Sequence, residues 1–379
     1  MNPREQFPSL DQGIYFNHAA VSPWPRSTAD AVKQFAEENA VNGPAAYRQW
    51  IEREKDLRRK LASLTGASSA DDIALLKNTT EGISLAAWGL DWQAGDNLVL
   101  PTGEFPSNRL PWLAQICLGV EIREVDIRAA ENAENALLDA MDDNTRLLSV
   151  SAVQWNDGFR LDLARLGQAC HSAHVLFFVD AIQQLGALPV DVEACHIDFL
   201  AADAHKWLLG PEGIAVFYCR ESVRPRLRLL QQGWHMYDNP WNFHAGDRQP
   251  SSTAKRFEAG SPNTLGQAAL HASVELLLST GMEKVSGRIL DNSQFLIREL
   301  GRLPGIKISS RTTENRRSGI VSFTHSTISS GRLNNQLAKS GVTTAVRGDS
   351  IRLSPHFYQG ETEISEFIRI LARILHEFR

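Results

Sequence analysis

The sequence predicts an α/β fold, with a large domain built on a mostly parallel mixed sheet and a smaller C-terminal α+β domain. Two patterns carry this prediction. Between about residue 50 and residue 220, short apolar runs alternate with helix-like stretches, as successive βαβ units require. From Leu265 onward the order changes to two helices, several short strands and a terminal helix. The length adds a third argument. At 379 residues the chain exceeds what one hydrophobic core usually serves. The expected division is an N-terminal segment 1–14, a large domain 15–258 and a small domain 259–379.

The elements follow in order. Arg53 to Leu64 reads as a helix and Ile73 to Leu76 as a strand. Thr80 to Leu90 is helical and Asn97 to Pro101 a strand. Pro106 to Leu118 is helical, Glu121 to Ile127 a strand, and Asn132 to Met141 helical. Leu147 to Val153 is a strand, Leu161 to Ala173 a helix and Val175 to Val179 a strand. Phe199 to Ala202 and Gly213 to Tyr218 close the series. Residues 230–263 are rich in Gly, Pro, Asn, Trp and Ser and lack periodicity, which predicts a long functional loop and a domain junction. Strands are then expected at Ile306–Ile308, Gly319–Phe323, Val342–Val346 and Ile351–Leu353, before a helix from Glu361 to Phe378.

Composition narrows the function. Apolar residues make up 43% and charged residues 22%, ordinary for a soluble globular chain. A net charge of -5 gives no reason to expect nucleic acid or an anionic membrane as partner. The apolar runs are far shorter than a bilayer span. The first residues, Met1-Asn-Pro-Arg-Glu-Gln-Phe7, lack the apolar core of a signal peptide, so a cytoplasmic location is expected. The four cysteines, Cys117, Cys170, Cys195 and Cys219, show neither paired spacing nor a CxxC, and read as free thiols. No metal is expected.

The chemistry concentrates at two strand ends. One apolar run ends in Asp180. Another leads, through Asp198 to Ala204, into His205-Lys206 and a Gly-Pro turn. In parallel sheets the ligand sits beyond the carboxyl ends of the strands. An amine and an acid delivered to that edge suit pyridoxal 5'-phosphate: the amine of Lys206 holds the aldehyde and the carboxylate of Asp180 holds the ring nitrogen. A buried lysine is also a ready base at a substrate's α carbon. Gln183, three residues after Asp180, is a candidate for the phenolic oxygen. The plain alternative for Asp180 is a helix cap.

Other segments offer supporting groups. Asn78-Thr79-Thr80-Glu81-Gly82 lies between a strand and a helix, where hydroxyls and N–H groups suit a phosphate or simply cap the helix. Ser261, in Glu258-Ala-Gly-Ser-Pro-Asn263, offers a further hydroxyl to a phosphate or marks an interdomain turn. Phe105 can stack on a ring or pack in a core. His205 is either a second polar group at the cofactor or a structural histidine. Arg347 and Arg352 suit a substrate carboxylate, with solvated edge-strand arginines as the alternative.

Together these residues resemble the class V aminotransferase family, in the fold-type I group of pyridoxal-phosphate enzymes. The resemblance runs from Tyr15-Phe-Asn-His-Ala-Ala20 to the last helix and centres on Val179–Gly186, His205–Pro211, Arg256–Asn263 and Ile351–Tyr358. It implies that Lys206 carries the Schiff base, Asp180 holds the pyridine nitrogen and Gln183 meets the phenolic oxygen. It implies phosphate-side roles for Thr79, Thr80 and His205. Ser261 matches a position that reaches the phosphate from a neighbouring subunit, which implies a homodimer with shared active sites. Arg352 matches the main carboxylate-binding arginine and Arg347 a second one, while Asn17 and His18 fall in the segment edging the substrate cavity.

The family includes cysteine desulfurases, kynureninases, isopenicillin N epimerase-like proteins and true aminotransferases. Desulfurases carry a catalytic cysteine near the position of Arg347–Ser350, and this chain has no cysteine after Cys219. Many desulfurases stack a histidine where this chain offers Phe105, and carry a serine where it has Asp203. The family often has an asparagine where this chain runs Gln154-Trp-Asn-Asp-Gly158. The expectation is therefore an enzyme acting at the α carbon of an amino acid, transaminase-like or epimerase-like. A β-lyase of the kynureninase or C–S lyase type comes second and a persulfide-forming desulfurase third. A cofactor-binding sensor or interaction protein is the non-enzyme alternative.

Overall fold

The computed structural model of the chain describes residues 3–242 and 249–378. Strand β1 (Ile14–Tyr15) comes first. The large sheet takes β2 (Ile73–Leu76), β3 (Asn97–Pro101), β4 (Glu121–Val125), β5 (Thr145–Ser151), β6 (Leu176–Asp180), β7 (Phe199–Asp203) and β8 (Ala215–Cys219). Their spatial order is β2-β8-β7-β6-β5-β3-β4. All neighbours from β7 to β4 are parallel, and β8 runs antiparallel to both β2 and β7. Helices cover both faces, so β3, β6 and β8 are buried along their whole length and read as continuous apolar runs.

The helix Thr79–Gly89 lies very close to this sheet. A Cβ on Gly82 would fall 2.9 Å from the Phe217 ring and 3.1 Å from Ala201, so only glycine permits the approach. That closeness sets the helix N-terminus beside the end of β7.

The smaller sheet contains β9 (Ile306–Ile308), β10 (Val321–His325), β12 (Ala345–Arg347) and β13 (Ser350–Leu353), antiparallel in the order β12-β13-β10-β9. Between them in sequence, β11 (Val342–Thr343) leaves this sheet and pairs in parallel with β1. The single strand expected over Val342–Val346 therefore splits at Thr344, whose hydroxyl bonds Asn334.

Four expectations shift. Residues 15–18, assigned from sequence to the large domain, pair with the small one, together with Ile14 just before them: Ile14 and Phe16 join its core, and Asn17 bridges Ser354. Conversely the helix Thr264–Thr280, assigned to the small domain, packs on the helices Arg26–Asn42 and Tyr47–Thr65 and puts Leu270 and Val274 into the large core. The helix Arg26–Asn42 escapes sequence reasoning because it buries only Thr28 and Phe35 and so lacks an apolar stripe. The helix expected over Pro106–Leu118 breaks into two 3-10 turns around one α turn, Leu110–Leu113, because Pro106 and Pro111 each remove a donor. The junction 230–263 is irregular as expected, and its stretch 243–248 lies outside the described residues. Among the described residues no helix is long and apolar enough to cross a membrane.

Candidate active site

Asp180 ends β6 and Lys206 follows β7, so adjacent parallel strands deliver both to one sheet edge. The turn that carries Lys206 is tied from several sides. Its carbonyl accepts from the Ser22 hydroxyl (2.5 Å) and from Leu209 N (3.1 Å), and Leu209 adopts φ 60°, a costly left-handed conformation. Gly186 has φ 92°, and its ideal Cβ would sit 2.4 Å from the Trp207 carbonyl. That close approach explains the glycine ending the Asp180 segment.

Asp180 is almost wholly buried. Its Oδ1 accepts from Ile182 N (3.0 Å), a cap-like turn, while Oδ2 is buried with no partner. Burial raises the proton affinity of this carboxyl, and the nearby Glu104 adds to the effect. An unpaired buried carboxylate oxygen is where a protonated ring nitrogen would donate, so the residues fit pyridoxal phosphate. Lys206 is pushed the opposite way. Burial lowers its affinity for a proton, Asp180 opposes this, and Arg352 and Arg347 reinforce it. The Lys206 Nζ stands 5.5 Å from the centroid of the Phe105 ring, which is partly exposed at the opening. Trp155 meets Phe105 edge-on at 5.6 Å.

Arg352 enters from the small domain. Ile351 and Leu353 face that domain's core, and Arg352 alternates to the other side, as the two-residue period of a strand requires. It is 1% exposed, its Nη1 donates to the Trp155 carbonyl (2.6 Å), and Nε and Nη2 have no partner. Burial, with Arg347 beside it, lowers the guanidinium to about 9. A desolvated fork with two free donors is suited to a carboxylate. Arg347 donates to the Val346 carbonyl and is half-buried. β12 and β13 join through Gly348 and Asp349 alone, with Arg347 paired to Ser350. No loop carrying a thiol hangs from this hairpin.

The phosphate-side residues divide. The Thr79 N–H donates to Asp203 Oδ1 (2.6 Å) and its hydroxyl accepts from Asp203 N (3.0 Å), so the N–H is taken and only the hydroxyl proton is left to donate. Asn78, not a threonine, is the helix cap, through Glu81 N. Thr80 is exposed and bonds the Ser107 hydroxyl (2.9 Å), within reach of a ligand at the helix end. His205 Nδ1 lies 3.5 Å from Asp203 Oδ2, and burial lowers the ring to about 4, so it is neutral at neutral pH. Burial raises the Asp203 carboxyl to about 6. Asp203 clamps the helix N-terminus.

Other sequence-derived candidates fall elsewhere. His18 is fully buried, with Nδ1 on the Ser354 carbonyl (2.8 Å) and Nε2 on the Tyr358 hydroxyl (2.6 Å). Both nitrogens are committed to joining the N-terminal segment to the small domain, which leaves neither for a ligand. Asn17 keeps a buried Oδ1 without a partner. The Gln183 oxygen accepts from Trp207 Nε1 (2.9 Å) and its nitrogen donates to the Ala19 carbonyl (3.0 Å), which leaves one amide hydrogen. Ser261 is exposed and lines a separate cavity of about 240 Å³ with Lys77, Glu81 and Gly213, not with Lys206. Trp155 and Glu104 were missed. The signal available for Glu104 was an acid placed directly after a buried strand, next to Phe105.

The family model described as Aminotransferase class-V matches residues 14–370. A probable cysteine desulfurase of Methanothermobacter thermautotrophicus is 31% identical, over 80% of this chain and 76% of its own length. An uncharacterised aminotransferase of Schizosaccharomyces pombe is 25% identical over 98% of this chain and 94% of its own. Among solved structures, the cystine C–S lyase C-DES, in complex with its reaction product cysteine persulfide, superposes with a TM-score of 0.89. It is 27% identical, covering 97% of this chain and 99% of that one.

Proposed function

The chain belongs to the class-V aminotransferase family, and within it we propose a pyridoxal-phosphate-dependent lyase that expels sulfur from the β carbon of an amino acid without an enzyme thiol to receive it. One observation carries the reading. Asp180 and the free fork of Arg352 both act on the charge of Lys206, while the hairpin holding Arg352 turns in two residues and has no cysteine. The likeness to a cystine C–S lyase supports it and moves elimination ahead of the transaminase-like or epimerase-like chemistry expected from sequence.

When bound, pyridoxal phosphate supplies a protonated ring that accepts charge from the amino acid's α carbon. Asp180 Oδ2 would hold the ring nitrogen, Lys206 the aldehyde, Phe105 one ring face, and Thr80 and His205 the phosphate. Arg352 binds the substrate's α-carboxylate and so orients the Cα–H bond. The Lys206 amine, whose hold on a proton is weakened by its burial and by Arg352 and Arg347, takes that proton. The Cβ–S bond breaks with its electron pair leaving on sulfur, as a thiolate or, from cystine, a persulfide. Water then converts the released enamine to a 2-keto acid and ammonia.

We also propose a homodimer in which Ser261 completes the partner's phosphate site. Its exposure, and the exposed Leu265 nearby in sequence, support this. The test of the reaction is to incubate the loaded protein with cystine and assay keto acid, ammonia and persulfide, both free and on the protein. The expected result is free persulfide in step with keto acid. A new amino acid formed from an added keto acid, or inverted chirality without C–S cleavage, would replace elimination by transamination or epimerisation.

A further inference from the structure

Glu104 is a buried charge that the reaction above leaves unused. It sits between β3 and Phe105 and is 4% exposed. Its Oε1 accepts from Ser151 N (2.7 Å) and from Gln154 Nε2 (3.0 Å), and its Oε2 accepts from the Ser151 hydroxyl. Oε1 thus meets only donors, while the Ser151 hydroxyl on Oε2 can donate or accept; burial raises the proton affinity of Glu104, and the bonds from Ser151, Gln154 and Asn108 oppose it. Ser151 is the β5 residue in register with Asp180 on β6, so a single residue separates the two acids across the sheet edge.

Holding the loop 102–108 in place would need acceptors only. A glutamine would provide one without burying a full charge, which costs several kcal/mol. An acid kept where a glutamine would serve the loop points to an electrostatic use. The groups acting on Asp180 are Lys206, which drives protons away, and Glu104 and Asp203, which hold them. Arg347 and Arg352 add two more cations around Lys206. Three acids thus balance three cations, and removing one acid tips the site toward losing a proton.

We propose that Glu104 is a positioning residue whose buried negative charge, set by Ser151 and Gln154, keeps protonated the ring nitrogen that Asp180 holds. The inference rests on the cofactor reading above. It adds a determinant of that nitrogen's proton that lies on a different strand end from Asp180 and does not touch the ring.

The test uses the full-length protein loaded with pyridoxal phosphate labelled with 15N in the ring. The nitrogen chemical shift reports its protonation directly. Glu104→Gln is expected to lower the pH at which the nitrogen loses its proton by about one unit, a tenfold change in the protonation ratio. Glu104→Asp, which keeps the charge, is expected to titrate close to wild type. Should Glu104→Gln not fold, Ser151→Ala weakens the donors that hold the anion and should shift the titration in the same direction by less. An unchanged titration in folded Glu104→Gln, or equal shifts in the Gln and Asp variants, would overturn the inference and leave the cofactor reading standing. A wild-type protein that takes up no cofactor would overturn both.

Discussion

The two halves of the candidate site are built differently. On the large-domain side, most polar groups have an internal partner: Glu104 is held by Ser151 and Gln154, Asp203 by Thr79, and Gln183 by Trp207 and Ala19. On the small-domain side, Arg352 crosses a domain boundary with two donors unpaired. The contrast separates two tasks. A group whose bonds are satisfied within the protein fixes geometry in advance, as a permanent cofactor requires. A buried charge with unspent hydrogen bonds is costly in the free protein and is compensated only when a ligand arrives.

Four substitutions probe this contrast. The largest effect is expected from Lys206→Ala, which should abolish the visible absorbance of the loaded protein and its activity, while cofactor retained without a covalent bond can still be measured by dialysis. Colour that survives and is bleached by borohydride, with the cofactor left covalently on the protein, would assign the aldehyde to another amine. Next is Arg352→Met. Losing a forked, charge-assisted contact of about 2–3 kcal/mol should raise KM for carboxylate substrates by roughly 100-fold. The thermal midpoint should rise, because a buried, incompletely paired charge is replaced by an apolar chain. A fall in both stability and affinity would assign Arg352 a structural task instead.

Arg347→Ala should act more gently, through charge. Removing a cation near Lys206 favours the protonated amine, so its affinity for protons rises. The pH profile of cofactor uptake by the apoprotein should then move to higher pH, with the plateau rate nearly unchanged. A profile that stays in place would show that Arg347 is screened from Lys206. The smallest effect is expected from Trp207→Phe, on the satisfied side. It removes the indole N–H from Gln183 and should cost about 1 kcal/mol of stability in denaturant titration, with little change in KM.

Much of the large domain was legible in sequence because its signals are local. Val179-Asp180 and Phe199–Ala202 read as buried strand ends whichever strand they pair with, and a parallel sheet places such ends on one edge. The alternation Ile351-Arg352-Leu353 gave the arginine's face for the same reason. His18 illustrates the limit. Its segment lies in the family's substrate-edge region, yet its ring bonds Ser354 and Tyr358, more than 330 residues away. The helix Arg26–Asn42 was missed for lack of an apolar stripe, and the break within residues 106–118 because two prolines outweighed an apolar pattern.

The sequence by itself determined the strand ends that carry Asp180 and Lys206, the arginine facing away from the small core, and the absence of a thiol beyond Cys219. The tertiary structure decided which polar groups remain free. The Thr79 N–H is taken by Asp203, His18 by the small domain and Glu104 by Ser151, whereas Asp180 Oδ2 and the Arg352 fork are left open. The physical reason is range. Burial patterns repeat every two to four residues and can be read along the chain, but a hydrogen bond is satisfied only by the atom that folding brings within about 3 Å.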